Sequence, residues 1–200
     1  MRNLFSRKTF YSWGVGALLG VFAASSAAQA SVDTSQCTTA ESAQQFLYAN
    51  DNNWYVPVPG EGHDNFAADG WTLSGGARIV AEKLLDGTEG QVLDLPSGSK
   101  AVSPVVCVTS QSPTARAVVR NVKGAEGVYF YVEYEGTNTW NKPKNTGQIH
   151  GDHTDWTTVT PVNMQPENTP RLQPMRITLV PGGTTSDFEV YNLYIDPHIH

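Results

Sequence analysis

The stretch GVYFYVEYE, residues 127–135, carries the clearest strand pattern in the chain. Side chains alternate between the two faces of a β-strand, so every second residue of this stretch shares a face. One face takes the apolar set Val128, Phe130, Val132 and Tyr134. The other face takes Tyr129, Tyr131, Glu133 and Glu135. The pattern predicts a strand that buries its first set and exposes two tyrosines and two carboxylates.

Similar short runs recur along the chain between turn residues such as Pro-Ser-Gly and Pro-Gly-Gly. We predict further strands at residues 54–58, 71–73, 77–80, 91–95, 105–108, 115–122, 156–162, 175–179 and 188–195. Residues 137–155 are polar and are predicted to form a loop. Nine to eleven short strands without a long helix are typical of an all-β protein, here an antiparallel β-sandwich of the jelly-roll type.

The first thirty residues have the features of a secretory signal peptide. Three basic residues and no acidic one precede an apolar segment that ends in Ala28-Gln29-Ala30, a cleavage pattern. We therefore predict a signal peptide over 1–30, a polar lead-in over 31–45 with one helical turn near 40–46, and a β-sandwich domain over 46–200. The segment SRKTF (6–10) resembles a twin-arginine export signal, with Lys8 in place of the second arginine.

Charge and cysteine content limit the compartment and the partners. Removing the signal peptide leaves 10 basic and 19 acidic residues, a net charge of −9. No basic cluster remains, which argues against nucleic acid as a partner, and no later segment predicts a membrane span. The protein is therefore expected outside the cell or in the periplasm, where Cys37 and Cys107 predict a disulfide. Such a bond is worth about 4 kcal/mol in the chain-entropy model; two free thiols are the alternative.

Several segments, in order, resemble a family of uncharacterised secreted bacterial proteins. They are NWYVPVPG (53–60), GWTLSGGA (70–77), LDLPSGS (93–99), SPVVCV (103–108), AVVRN (117–121) and YNLYIDP (191–197). That family is similar to the galactose-binding-like jelly rolls of carbohydrate-binding modules. The resemblance implies a β-sandwich that binds a sugar without catalysis.

The resemblance also implies a structural calcium ion, which many such modules hold between an early acidic segment and two late aspartates. This sequence has Tyr191 and Asn192 in place of the late pair. Glu61, Asp64 and Asp69 remain as oxygen ligands, whereas calcium takes six to eight oxygens. We therefore expect no cofactor, with calcium as the alternative.

A second set of metal-ligand residues lies in IHGDHTDW (149–156). His150, Asp152, His153 and Asp155 have the chemistry that zinc accepts. A loop without packed neighbours orients ligands poorly, however, so we favour a hydrated polar loop over a metal site.

Aromatic residues are the best candidates for a binding site. The chain has five tryptophans and eight tyrosines, and an aromatic ring can stack on the apolar face of a sugar. Trp140 lies among amides in the predicted loop, next to Asn138 and Asn141, while Tyr129 and Tyr131 lie on the outer face of the clearest strand. Trp54 and Trp71, at strand starts, are predicted to be core residues.

No motif of a hydrolase, metalloprotease or nucleotide-binding enzyme is present in the sequence. Glu133 and Glu135 lie on one face and are predicted to be solvated, so they do not form the facing carboxylate pair of a glycosidase. We predict a non-catalytic, secreted protein that binds a polysaccharide or another cell-surface ligand. The alternative is a subunit that associates with itself in a surface layer, matrix or filament.

Overall fold

The computed structural model describes residues 34, 35, 37, 41–59, 66, 70–109, 113–124, 126–136, 139–151, 155–166 and 172–196. These residues form thirteen strands and one short 3-10 helix, Leu47–Ala49, slightly beyond the helical turn predicted near 40–46. The strands are β1 (Val56–Pro57), β2 (Thr72–Ser74), β3 (Arg78–Lys83), β4 (Glu89–Pro96), β5 (Lys100–Val102), β6 (Val106–Val108), β7 (Thr114–Lys123), β8 (Val128–Tyr134), β9 (Lys144–Ile149), β10 (Thr157–Thr158), β11 (Val162–Asn163), β12 (Gln173–Pro181) and β13 (Asp187–Asp196).

Two antiparallel sheets make up the β-sandwich, as the sequence predicts. The first, which we call the β13 sheet, has the order β10-β7-β13-β4-β3, with β1 paired to β13 and β11 to β7. The second, the β8 sheet, has the order β2-β5-β12-β8-β9, with β6 paired to β12. Strands that pair in these sheets are often far apart in the sequence, as expected for a jelly roll.

Apolar side chains from both sheets form the core between them. Strand β8 alternates between buried and partly exposed residues along its whole length, so Val128, Phe130 and Val132 are buried. Leu93, Leu95, Phe188 and Val190 are fully buried on the β13 sheet. The inner face predicted for residues 127–135 is thus confirmed.

Four features differ from the predictions. Residues 144–149, predicted to be loop, form β9, and residues 100–102 form the unpredicted β5. The single strand predicted over 156–162 is divided into β10 and β11. Trp54, predicted to be a core residue, is 48% exposed because Tyr55 takes the inward position beside it, whereas Trp71 is buried as predicted.

Cys37 and Cys107 form the predicted disulfide, with their Cα atoms 5.4 Å apart. The segment that follows Cys37 is held on the sandwich by further contacts. Ala43 and Tyr55 pair through two backbone hydrogen bonds of 2.8 and 2.9 Å, and β1 pairs with β13. We call residues 41–59 the N-terminal strap. Within the described part of the chain, we find no helix with the length and apolar character that a bilayer span needs.

Candidate functional site

A row of aromatic side chains crosses the outer face of the β8 sheet. Tyr129 and Tyr131 are both partly exposed, and their ring centroids lie 6.5 Å apart with the rings tilted by 50°. They share this face because they are two residues apart on one strand. Their adjacency in space is what the alternation of residues 127–135 predicts.

An ion pair continues the row towards the end of β8. Arg176 of β12 lies opposite Glu133, and its Nη2 donates a hydrogen bond of 2.8 Å to Glu133 Oε2. The Glu133 side chain is only 17% exposed. The prediction of a solvated carboxylate is therefore wrong for Glu133, because the guanidinium of Arg176 covers it.

Trp140 completes the row beside this ion pair. The Arg176 guanidinium carbon lies 4.0 Å from the centroid of the Trp140 ring, a cation–π contact. Trp140 also forms an isolated backbone bridge with Glu135, and its side chain is partly exposed. Trp140 is thus not a core residue, because its side chain is partly exposed. One face of its ring is occupied by Arg176.

Glycine at position 182 permits close packing at the other end of the row. A Cβ atom at Gly182 would lie 2.9 Å from Tyr129 Cε2 and 2.6 Å from Glu126 Oε2. A larger residue at this position would therefore displace one or both of these side chains. The row runs from Glu126 through the two tyrosines to Trp140; we call Tyr129, Tyr131, Arg176 and Trp140 the aromatic row.

Hydrogen-bonding side chains flank the row on the neighbouring strands. Asn145 of β9 pairs with Tyr131 and Gln148 with Tyr129, so both amides share the outer face with the rings. Thr178 lies opposite Tyr131 on β12. Asn145 and Gln148 were not predicted, because the sequence of β9 carries no strand pattern.

The other predicted site residues give a mixed picture. Asn141 follows Trp140, and its backbone N–H donates to the Tyr134 carbonyl at 2.9 Å. Asn138 lies outside the described residues, so its predicted role stays a prediction.

Most predicted metal ligands also lie outside the described residues, namely Asp152, His153, Glu61, Asp64 and Asp69. His150 is exposed just after β9, and Asp155 is exposed as well. Among the residues that the structure describes, no three His, Cys, Asp or Glu side chains are grouped so that they could hold a metal ion. The zinc and calcium alternatives are therefore left as sequence-based predictions.

The outer face of the β13 sheet carries a charged network that the sequence did not indicate. Arg120 forms ion pairs with Glu82 and Glu189, and its guanidinium carbon lies 4.7 Å from the Trp156 ring centroid. Trp156 in turn donates from Nε1 to the Lys83 carbonyl at 2.7 Å and packs edge-on against Tyr191. The Trp156 ring on this face is thus engaged by neighbouring side chains and backbone of the protein.

Two carboxyl groups on this face, Asp94 and Glu189, have raised pKa values. Burial raises the pKa of Asp94 to about 7, helped by its hydrogen bond to Asp187 and by the charge of that residue. The ion pair with Arg78 opposes the rise. Burial also raises the pKa of Glu189, although Arg120 lowers it in part. Asp94 is therefore partly protonated at neutral pH.

No protein-family model matches the chain, and none of the curated proteins matches it. Solved structures with a similar arrangement of strands include carbohydrate-binding modules, the class of domain that the sequence resembles. One contains the CBM22-1 and GH10 modules of Clostridium thermocellum endo-1,4-β-D-xylanase 10B with xylohexaose; it has 15% identity, a TM-score of 0.48 and 64% coverage of this chain. The chain spans only 26% of that larger protein.

Two isolated modules are also similar to this chain. The CBM22-1 xylan-binding domain of Paenibacillus barcinonensis Xyn10C has 14% identity and a TM-score of 0.42, with 66% of this chain and 88% of that one covered. A family 6 carbohydrate-binding module of Clostridium cellulolyticum in complex with xylose has 15% identity and a TM-score of 0.38, with 60% and 85% covered. At these values we carry no ligand over from those proteins to this chain.

Proposed function

We propose that this protein binds an extended, neutral polysaccharide across the aromatic row, without modifying it. The observation that supports this most directly is the pair of partly exposed rings, Tyr129 and Tyr131, with centroids 6.5 Å apart in the middle of an open sheet face. Two rings in line can contact successive sugars of one chain. An aromatic ring offers an apolar surface to the C–H side of a sugar.

The flanking side chains suit the hydroxyl groups of the same ligand. Asn145 and Gln148 each carry an amide that can both donate and accept hydrogen bonds. Arg176 presents a planar cation that is already paired with Glu133, so the charge at the centre of the row is balanced. A balanced face with amides and rings suits a neutral polymer better than a strongly anionic one.

Hydrolysis is not part of this proposal. Glu126 lies two residues before β8 and Glu133 lies near the end of that strand, roughly 20 Å apart at the rise of a β-strand. Glycosidases place their two carboxyl groups about 5 to 9.5 Å apart on either side of the bond that they cleave. Glu133 Oε2 also accepts a hydrogen bond from Arg176, so this carboxylate is already engaged by a protein partner.

Export from the cell belongs to the same proposal. A disulfide such as Cys37–Cys107 persists in oxidising compartments, and a polysaccharide ligand would be met at or outside the cell surface. The thirty residues with signal-peptide features lie outside the described residues.

The experiment that tests the proposal compares Tyr131→Ala with Trp54→Ala. Trp54 is a second exposed aromatic residue, but it precedes β1, which belongs to the other sheet. Affinity electrophoresis on a panel of soluble plant, fungal and bacterial polysaccharides should show retention of the unmodified protein by at least one neutral polymer. Tyr131→Ala should weaken that binding by about tenfold, or ~1.4 kcal/mol, and Trp54→Ala should leave it unchanged.

Two results would contradict the proposal. Equal retention of the two variants would place the binding surface elsewhere. If no polymer retains the protein, and light scattering finds assemblies larger than a monomer, the self-associating alternative is favoured.

A further inference from the structure

A pocket of about 400 Å³ lies between the N-terminal strap and the β13 sheet, apart from the aromatic row. Three segments far apart in the sequence form its walls. They contribute Gln45 and Tyr48 from the strap, Leu84, Leu85 and Asp86 from the turn between β3 and β4, and Tyr191 and Asn192 from β13. The volume falls at the small end of the range typical of small-molecule sites.

The apolar walls of the pocket are both exposed and fixed in place. Tyr48 is 55% exposed and Leu85 is 46% exposed, although both are large apolar side chains. The Tyr48 hydroxyl shares a 3.0 Å hydrogen bond with Thr158 Oγ1, and the Leu85 N–H donates to the Tyr191 hydroxyl at 3.0 Å. These contacts hold an aromatic wall and an aliphatic wall open to solvent.

Asn192 is one of three non-glycine residues with a positive φ in the described part of the chain, together with Asn50 and Gln165. It has a φ of +51°, in the left-handed region that non-glycine residues seldom adopt, and it lies within a register shift of β13. Backbone strain of this kind is concentrated at functional sites. The register shift places the Asn192 side chain in the pocket wall. In a regular strand the side chain at this position would point in a different direction.

The polar groups around the pocket indicate the class of ligand. Gln45 and Asn192 contribute amides, and Asp86 contributes a carboxylate. The Thr88 N–H and hydroxyl both donate hydrogen bonds to Asp86 Oδ1. These bonds lower the pKa of Asp86, so its carboxylate is charged at neutral pH. A fixed negative charge disfavours anionic ligands, and two amides disfavour a plain hydrocarbon.

We propose that this pocket is a second binding site, which takes one or two rings of a neutral sugar end-on. The Tyr48 ring contacts the apolar side of the sugar, while Gln45, Asp86 and Asn192 bond its hydroxyls. The site is independent of the aromatic row, so either site can fail without the other. It also depends on the strap, because Gln45 and Tyr48 both belong to it.

The test uses Asn192→Gly, since glycine adopts a positive φ without strain and removes only the amide. Binding is measured by isothermal titration calorimetry in protein that already carries Tyr131→Ala, so that the aromatic row does not contribute. The probes are cellobiose, xylobiose, maltose and lactose at concentrations up to about 10 mM. At least one disaccharide should bind, and adding Asn192→Gly should weaken that binding at least tenfold while circular dichroism shows that the domain remains folded.

Three results would overturn the proposal. One is that no disaccharide binds the Tyr131→Ala protein over this range. Another is that Asn192→Gly leaves the affinity unchanged. The third is that tetramethylammonium binds in place of every sugar and loses its affinity in Asp86→Asn, which would identify a site for organic cations. Loss of polysaccharide binding in the Tyr131→Ala variant alone tests the aromatic row and does not test the pocket.

Discussion

Replacing Asp51 by Asn should loosen the N-terminal strap from the sandwich. Asp51 forms an ion pair with Arg116, accepts a 2.6 Å hydrogen bond from the Tyr55 hydroxyl and accepts another of 3.0 Å from the Asn53 N–H. The side chains of Asp51 and Arg116 are each only 10% exposed. Breaking one partner of a buried pair costs about 3–5 kcal/mol.

The cost for Asp51→Asn should fall just below that range, at about 2–3 kcal/mol. Asn keeps an acceptor for Tyr55, and Arg116 retains its 2.7 Å bond to the Val159 carbonyl and its contact with the Phe46 ring. One kcal/mol moves the melting temperature of a domain of this size by about 2–4 °C, so we expect a fall of about 4–12 °C.

Calorimetry of Asp51→Asn beside the unmodified protein measures this fall. The pH dependence supplies an independent check. Burial alone would raise the pKa of Asp51, but hydrogen bonds from Tyr55, Asn53 and Arg116 lower it on balance. A carboxyl group whose pKa is lower in the folded state stabilises above the unfolded pKa, and this stability is lost as the pH falls through the folded pKa.

The unmodified protein should therefore lose stability on acidification below about pH 4, and Asp51→Asn should lose less. Identical melting temperatures at neutral pH would refute the argument that this ion pair holds the strap. A double variant, Asp51→Asn with Arg116→Met, should be less destabilised than the sum of the two single variants, because the two side chains share one interaction.

Two further variants test the two outer faces. The pKa of Asp94 is raised to about 7 in the folded state. The contribution of this carboxyl group to the free energy of unfolding is therefore complete below its unfolded pKa and is lost as the pH rises through about 7. Asp94→Asn should therefore show a flatter pH dependence and exceed the unmodified protein by about 1 kcal/mol near pH 8, after allowance for solvent screening at the exposed Arg78; a steeper loss at alkaline pH would contradict the assignment. Trp140→Ala should lower the melting temperature by only a few degrees, since it removes a cation–π contact of about 0.5–1 kcal/mol, while it weakens polymer binding by about tenfold. If Trp140→Ala unfolds the domain in circular dichroism, Trp140 has a core role and its place in the binding site is lost.

Strand positions could be predicted where one face is buried and the other is not. Strand β8 alternates without interruption, so its inner face and its two outer tyrosines follow from the sequence. Strand β9, with the sequence KNTGQI, offers no such alternation. It is a strand because it pairs with β8, and Gly147 lets it pass within contact distance of Val162. Tertiary pairing of this kind leaves no local pattern to find.

The pocket could not be predicted for a different reason. Its walls come from positions near 45, 85 and 191, which are brought together only by the topology of the strap and the β13 sheet. The resemblance did draw attention to Tyr191 and Asn192, but as an absent calcium pair. The positive φ of Asn192 suggests another reason for the residue types at these two positions. In our proposal the irregularity in β13 places the Asn192 amide in the pocket wall.

The presence of Tyr129 and Tyr131 on the outer face of the β8 sheet is a structural reason to regard this face as a binding surface. Aromatic residues stabilise a sheet chiefly through aromatic or β-branched partners on the neighbouring strands. Tyr131 lies between Thr178 on one side and the polar Asn145 on the other, so only one of its two partners is β-branched and neither is aromatic. On the β13 sheet, by contrast, Trp156 packs on Tyr191 and beneath Arg120, and its ring is used within the protein. Trp156 is thus engaged by protein neighbours, whereas our proposal assigns the partly exposed surface of Tyr129 and Tyr131 to a ligand.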